Sequence, residues 1–320
     1  MLVLNCRIEF EGGRKWTLTN VINIRIERNA DSMMDWCEIE LPSRLRWDRK
    51  RECPLQREDR VKIWLGYGEE LEVAFQGYVI NLYDLDRLII YCGNEMFKTQ
   101  RKEMERGTHR SEGFNDLVRR ITNERDIRID EEIRIGEFYE NGTTLGSFFD
   151  NLLKRHFIRS YYINSSNQQT LCFGRLINNK ISAVYDIERN VIKNGLTRNR
   201  SIQQGFELNV VSISNTNEKI SDIHYIGVPP YTKKIINYRN LNENELRNEA
   251  TRIAYEFYFR KYSGTITVFG GHLLEKYDLI GIKENGEKRG VYEVQKNVIT
   301  FGLNGFRQTI TLGNERRDIV

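Results

Sequence analysis

Four histidines (His109, His156, His224 and His272), five cysteines (Cys6, Cys37, Cys53, Cys92 and Cys172) and the carboxylates Glu38 and Glu40 are the residues of this 320-residue chain from which chemistry could be built. The histidines are scattered and share none of the spacings that bring two imidazoles to one metal ion. The cysteines are odd in number and form no C-x-x-C pair. Cys6, Cys37, Cys92 and Cys172 stand among alternating apolar residues, as small buried thiols do, which predicts reduced cysteines and a cytoplasmic place of assembly. Glu38 and Glu40 fall on one face of a predicted strand, where an acid–base pair is conceivable. Alternation with Cys37, Ile39 and Leu41 already accounts for them as the wetted face of that strand. Glycine-rich phosphate loops, the G-x-S-x-G elbow and the H-E-x-x-H pair are all missing from the sequence. The residues therefore predict no catalytic, cofactor-binding or metal site, no cofactor and no enzymatic activity.

The elements that would carry such residues are mostly strands. Leu2–Phe10 alternates, as do 14–28 across the turn Glu11-Gly12-Gly13, and Trp36–Leu41 stops at Pro42. Val61–Leu65, Glu70–Tyr83 and Arg87–Tyr91 complete about six short strands, the pattern of a small antiparallel barrel or sandwich. Between them, Arg44–Arg51 interleaves arginines with Trp47 and reads as an exposed loop. After residue 95 the pattern changes. Phe114, Leu117, Val118 and Ile121 form a helical stripe with Ser111 as a candidate cap, and a second helix follows Thr144 with Leu145, Phe148, Phe149, Leu152 and Leu153 inward. Residues 159–164, 170–173 and 181–187 read as a small meander, with turns at Ser165-Ser166-Asn167 and Asn178-Asn179. The sequons Asn141-Gly142-Thr143 and Asn164-Ser165-Ser166 read as turn residues. A last helix, about 240–262, has Asn240 as predicted cap, Leu246, Ala250, Ile253 and Phe257 inward, and Gly264 as its stop.

Composition excludes several classes. Charged residues make up 29% and hydrophobic ones 39%, with a mean hydropathy of -0.58, which suits several small domains with modest cores. The net charge of +4 arises from 49 basic and 45 acidic side chains intermixed along the chain, unlike a dedicated phosphate-binding surface. No run approaches the ~18 apolar residues of a membrane span, and no secretion signal opens the chain.

One pattern occurs twice. Asp59–Ile63, Tyr78–Ile80 and Arg87–Glu95 are echoed by Asp278–Ile282, Tyr292–Val294 and Arg307–Glu315, matching Asp59/Asp278, Ile63/Ile282, Tyr78/Tyr292, Arg87/Arg307, Ile90/Ile310 and Gly93-Asn94-Glu95/Gly313-Asn314-Glu315. Spacing differs between the echoes, which predicts turns of different length around strands of common register. The fold expected is α+β and β-rich, with two similar small antiparallel barrels flanking a mixed insert.

The C-terminal third carries a family resemblance in Asn240–Glu243 with Ala250, the Gly270-Gly271 step, Leu274–Ile282, Gly290–Val294 and Phe301–Gly313; Asp59–Ile63 and Gln76–Val79 extend it to the first barrel. Together these resemble the baseplate hub proteins of contractile phage tails (also called late control proteins), including prophages, with their relatives in tailocins and type VI secretion spikes. Tyr277-Asp278 stands where the family has Gly-Asp. The resemblance implies tube-like β-barrel domains at 1–97 and 201–320 with an α+β insert at 98–200. It implies a homotrimer whose six barrels form a pseudo-six-fold ring, joining the six-fold tail tube to the three-fold spike around a lumen that passes DNA or effector. Partners so implied are a separate trimeric spike protein, a tail tube protein and baseplate wedge proteins, in a virion tail baseplate assembled in the host cytoplasm. Two other readings are a nucleic-acid-binding β-barrel, resting on Arg44–Arg51, and a cell-wall-degrading tail enzyme.

Overall fold

The computed structural model describes residues 3–42, 47, 53–84, 86–104, 107–109, 113–124, 126–130, 133–140, 144–165, 168–174, 180–198, 204–257 and 262–316. Most of Arg44–Arg51, Ser111, the 141–143 sequon and the Asn178-Asn179 turn lie outside them.

In chain order the first part holds β1 (Leu4–Glu11), β2 (Lys15–Leu18), β3 (Asn23–Asn29), β4 (Trp36–Pro42), β5 (Arg60–Tyr67), β6 (Glu70–Asp84) and β7 (Arg87–Gly93). The middle follows with α1 (Met96–Thr99), β8 (Gly107–His109), α2 (Phe114–Thr122), β9 (Ile127–Ile129), β10 (Phe138–Glu140), α3 (Leu145–His156), β11 (Ser160–Ser165) and β12 (Gln168–Phe173). Then come β13 (Ile181–Asp186), β14 (Val191–Arg198), β15 (Gln204–Ile213), β16 (Lys219–Ile226), β17 (Val228–Arg239) and α4 (Glu243–Ala254). The chain closes with β18 (Tyr262–Phe269), β19 (Leu279–Glu284), β20 (Glu287–Gly302) and β21 (Gly305–Glu315).

One sheet runs through both ends of the chain, in the order β14-β18-β21-β20-β3-β4-β7-β6-β5-β1-β2, with β19 and β13 attached beside β20. Alternation directs its strands: Ile24 and Ile26, Cys37 and Ile39, Ile63, Phe75 and Ile90 turn inward to one apolar core. Ile266, Val268, Ile280, Ile282, Tyr292 and Ile310 form a second core under the other end. The α+β middle has its own core of Leu117, Val118, Phe148, Phe149, Leu152 and Phe173. A fourth core seals α4 against the sheet β16-β15-β17 through Leu208, Val210, Ile236, Leu246 and Ile253.

Several expectations shift. The segment 181–187 does not close a meander with β11 and β12: β13 pairs parallel with β19, and β14 pairs antiparallel with β18. These strands before residue 200 thus join the C-terminal sheet, because the apolar side chains of β13 and β14 pack on the core under β18–β21. The last helix is capped by Asn242, not Asn240; Asn242 and Glu245 exchange both bonds of a capping box at 3.0 Å. Asn240 takes a left-handed φ of 56° and ties the loop before the helix to Glu137 and Asn215. Gly264 is no helix stop but lies inside β18, in a positive-φ conformation (112°) that brings it against the backbone of Gly195. α2 begins after Gly113, with no side-chain cap, while α3 follows Thr144 as expected and Thr144 also caps it, accepting from the Ser147 N–H.

The repeat is longer than the sequence showed. β3-β4-β7-β6-β5 and β14-β18-β21-β20-β19 are the same five strands, in the same chain order and all antiparallel. Each copy of the long strand breaks register at a corresponding place, at Ile80 between Val79 and Asn81, and at Gln295 between Val294 and Lys296. Registers match Asp59 to Asp278, Ile63 to Ile282 and Ile90 to Ile310, as expected, but match Tyr78 to Glu293 rather than Tyr292, since Val79 and Val294 bond to the two aspartates. The hairpins joining β5 to β6 and β19 to β20 both turn on two residues, Gly68-Glu69 and Asn285-Gly286. The spacing difference there resides in strand length instead of turn length. Residues 204–257, which carry β15–β17 and α4, are inserted where the first copy has only the short link 30–35.

Candidate assembly interface

A turn of identical construction precedes the central hairpin of each copy. The Gln56 N–H donates to Asp59 Oδ2 at 2.8 Å, and the Glu275 N–H donates to Asp278 Oδ2 at 2.8 Å. Glu58 and Tyr277 both take positive φ (74° and 65°), and each donates its backbone N–H to the strand opposite, to the carbonyls of Val79 and Val294. Tyr277-Asp278 thus holds the turn without the glycine of the family pattern.

The second of these turns lies in a buried polar junction. Lys276 Nζ lies 2.7 Å from Asp35 Oδ1, and Arg28 meets Glu275 at 3.2 Å. Arg28 also donates to the Leu274 and Ala74 carbonyls, both at 2.7 Å. Asn164 of β11 donates to Glu275, and Gln169 of β12 donates to the Gln76 carbonyl while accepting from the Glu95 N–H. The first sheet copy, the second and the α+β middle are therefore fastened through one set of side chains. Burial pushes the carboxyls of Asp35 and Glu275 above the ordinary carboxylate range, against the opposing pull of Lys276 and Arg28. None of these four residues stood out as a site in the sequence. The signal was present for Arg28, whose inward parity with Ile24 and Ile26 places a guanidinium on a core face.

A second network serves α4. Glu249, fully buried, accepts from Arg252 at 2.8 Å, from the Tyr238 hydroxyl and from the Arg134 N–H. Arg252 in turn donates to the His156 carbonyl at 2.6 Å. The His156 ring is buried with Nδ1 unpartnered, and burial, then Arg252 and Arg155, hold its pKa down to about 4.

Both networks fasten elements of the fold to one another. His156, His224 and His272 are far apart in role: the first is buried, the second bonds Asp222 at 3.3 Å, and the third is exposed near Glu72. Among the described residues no group of His, Cys, Asp and Glu is disposed to hold a metal ion. The cysteines form no disulfide among the described residues, and burial pushes the Cys6 thiol up to about 11 and that of Cys172 up to about 12, away from the reactive thiolate. Glu38 and Glu40 form the polar face of β4, and Glu40 pairs with Arg87. Of the basic stretch, Trp47 is described, and it is buried edge-on against Trp16 at 5.3 Å rather than presented for stacking. No helix among the described residues is long and apolar enough to cross a membrane.

Several strand edges in the large sheet lack a second neighbour among the described residues, β2 and β13 among them. β14 pairs with β18 alone, and the end of β6 from Asn81 to Asp84 pairs with β7 alone, because β5 reaches only to Tyr78. Beside the β6 edge lies a hollow of about 340 Å³ lined by Arg57, Ile80, Asn81 and Leu82. A neighbouring groove of about 500 Å³ is lined by Trp36, Tyr83 and Tyr91 among others.

No protein-family model and no curated protein matches the sequence. Solved structures do match over nearly the whole chain. A tail protein from Neisseria meningitidis MC58 aligns with a TM-score of 0.73 at 11% identity, covering 99% of this chain and 98% of its own. The fold is that of phage tail proteins. The 43 kDa tail protein of prophage MuSo2 from Shewanella oneidensis aligns at a TM-score of 0.63 with 12% identity, covering 97% and 96%. A type VI secretion component from E. coli, described as similar to the T4 tail proteins gp27 and gp5, aligns at 0.62 with 10% identity, covering 97% of this chain and 77% of that one. The family resemblance read from the sequence and the tail-protein fold agree.

Proposed function

We propose that this chain is the structural hub of a contractile phage tail or related injection machine, without enzymatic activity. The observation that carries the reading is the five-stranded module present twice in one chain and joined through β20 and β3. A closed ring of three copies then presents six similar walls to a six-fold tail tube while keeping three-fold symmetry for a spike. On this reading the modules are residues 4–93 and 181–198 with 262–315, each small barrel-like wall carrying the lumen. The α+β segments 96–174 and 204–257 face outward to spike and wedge proteins. Partners are a second and third copy, a trimeric spike protein, the tail tube protein and the baseplate wedges, with DNA only as cargo in transit. The place of action is the baseplate, and assembly is cytoplasmic.

Electron microscopy of the purified chain, alone and with its spike, tests this. Class averages are expected to show rings with six similar density lobes around a channel. A compact particle without a channel contradicts the proposal.

A further inference from the structure

We propose that Lys276 and Asp35 join in an isopeptide bond, an amide between Lys276 Nζ and Asp35 Cγ that forms inside the folded chain and releases one water. The bond ties the link between β3 and β4 in the first module to the turn before β19 in the second. It goes beyond the assembly reading and does not depend on it.

The two reacting groups are already in contact. Lys276 Nζ lies 2.7 Å from Asp35 Oδ1, with the lysine side chain 0% and the aspartate side chain 5% exposed. Nζ is therefore at most about 4 Å from Asp35 Cγ, since the C–O bond adds about 1.2 Å. The contact lies off the hydrogen-bond direction, and neither Nζ nor Oδ1 makes a hydrogen bond among the described residues. A buried ammonium and carboxylate that touch in this way have neither water nor hydrogen bonds to offset their desolvation. The Tyr161 ring centroid is 5.3 Å from Nζ, and Tyr161 packs with Ala30, Cys172 and Tyr277 in a small apolar core.

Transfer of one proton from Nζ to Oδ1 turns the pair into an amine and a carboxylic acid, the forms that a dry interior favours. Burial pushes the Asp35 carboxyl up in the same sense, against the pull of Lys276 and Arg28. The amine then adds to Cγ, forming the Nζ–Cγ bond. The Cγ–Oδ1 bond breaks, and Oδ1 leaves as water with its own proton and one from Nζ. The amide keeps the other Nζ proton, and nothing is oxidised or reduced. Contact within the fold supplies the effective concentration that free lysine and aspartate lack.

Two neighbours assist. Asp35 Oδ2 takes the negative charge of the tetrahedral intermediate, and the Asn94 side-chain amide donates to it at 3.3 Å. The Asn94 N–H also donates to the Asp35 carbonyl at 3.0 Å, which fixes the aspartate in place. Glu275, beside Lys276 in sequence, carries the proton from Nζ to the leaving oxygen. Its Oε1 accepts from Asn164 and meets Arg28, while its Oε2 is buried without a hydrogen bond. Burial pushes the Glu275 carboxyl up, against the pull of Arg28, and the neighbouring Asp35 adds to the rise. A carboxyl so placed can both take and return a proton. Once formed, the cross-link constrains the unfolded chain between positions 35 and 276 and holds the two modules together under a pulling load.

Intact-mass spectrometry of the full chain, purified under reducing conditions and unfolded before injection, tests this. The mass is expected to fall below that of the sequence by one water, and digestion is expected to give a branched peptide joining the segments that hold Asp35 and Lys276. Lys276→Arg and Glu275→Gln are each expected to show the full mass of their own sequences, the second with both reacting groups still present. A wild-type chain at full mass, or one whose lost water maps to other residues, overturns the proposal whether or not the variants fold. A Glu275→Gln chain as fully cross-linked as wild type overturns the role given to Glu275.

Discussion

Asp59 and Asp278, more than two hundred residues apart, hold their turns in the same way. Each accepts the backbone N–H three residues before it at 2.8 Å and receives, on its carbonyl, the N–H of a valine across the sheet. Such repetition of a turn, a bulge and a strand order together is what duplication of a module leaves behind.

If the two turns are equivalent, their aspartates should respond alike. Asp59→Ala and Asp278→Ala each remove a charge-assisted bond and should destabilise by about 1–2 kcal/mol. Chemical denaturation of both variants measures this, and a neutral result at one site alone would break the equivalence.

The Asp35–Lys276 pair joins the modules in the interior, where neither partner has water to fall back on. Lys276→Met or Asp35→Asn alone strands a buried charge and should cost about 3–5 kcal/mol. The double variant Asp35→Leu/Lys276→Met removes both charges and should cost less than either single change. A double-mutant cycle in denaturant reads the difference; additive losses would show that the pair is not coupled.

Much of this organisation was legible in the sequence. Period-two alternation at Ile24–Arg28 and Cys37–Leu41 fixed which faces turn inward, and the stripes in α2 and α3 located two of the three helices of the middle, the short α1 leaving no stripe. The repeat at 59–95 and 278–315 was visible because hairpin strands stay contiguous. Its other two strands were not, since 204–257 separates β14 from β18 and their shared feature is pairing rather than composition. The parallel pairing of β13 with β19 was hidden for a related reason: partners distant in sequence leave no local pattern. The polar junction escaped because charged residues read as surface until packing buries them.

His156 supplies a pH signature. Its folded pKa of about 4 lies below the ordinary value of 6.5, so the unfolded chain binds the proton first as pH falls. Its contribution is fully present above pH 6.5 and is lost as the pH falls toward about 4, a change of about 3 kcal/mol. His156→Phe removes this dependence. The stability difference between wild type and variant, followed from pH 7 to 4 in urea, should move in favour of the variant; a constant difference would refute the assignment.

The capping box of α4 offers a local check. Asn242→Ala removes the acceptor for the Glu245 N–H and should cost about 1 kcal/mol. Thermal unfolding should show the loss, while Asn240→Ala should leave the helix start intact.

The central claim, that one chain carries two walls of a closed ring, is tested most directly by mass. Sedimentation equilibrium of the full chain across a wide concentration range should give a species of three times 37.9 kDa. A chain that remains at 37.9 kDa throughout, or that closes as an even-numbered oligomer, would contradict the account.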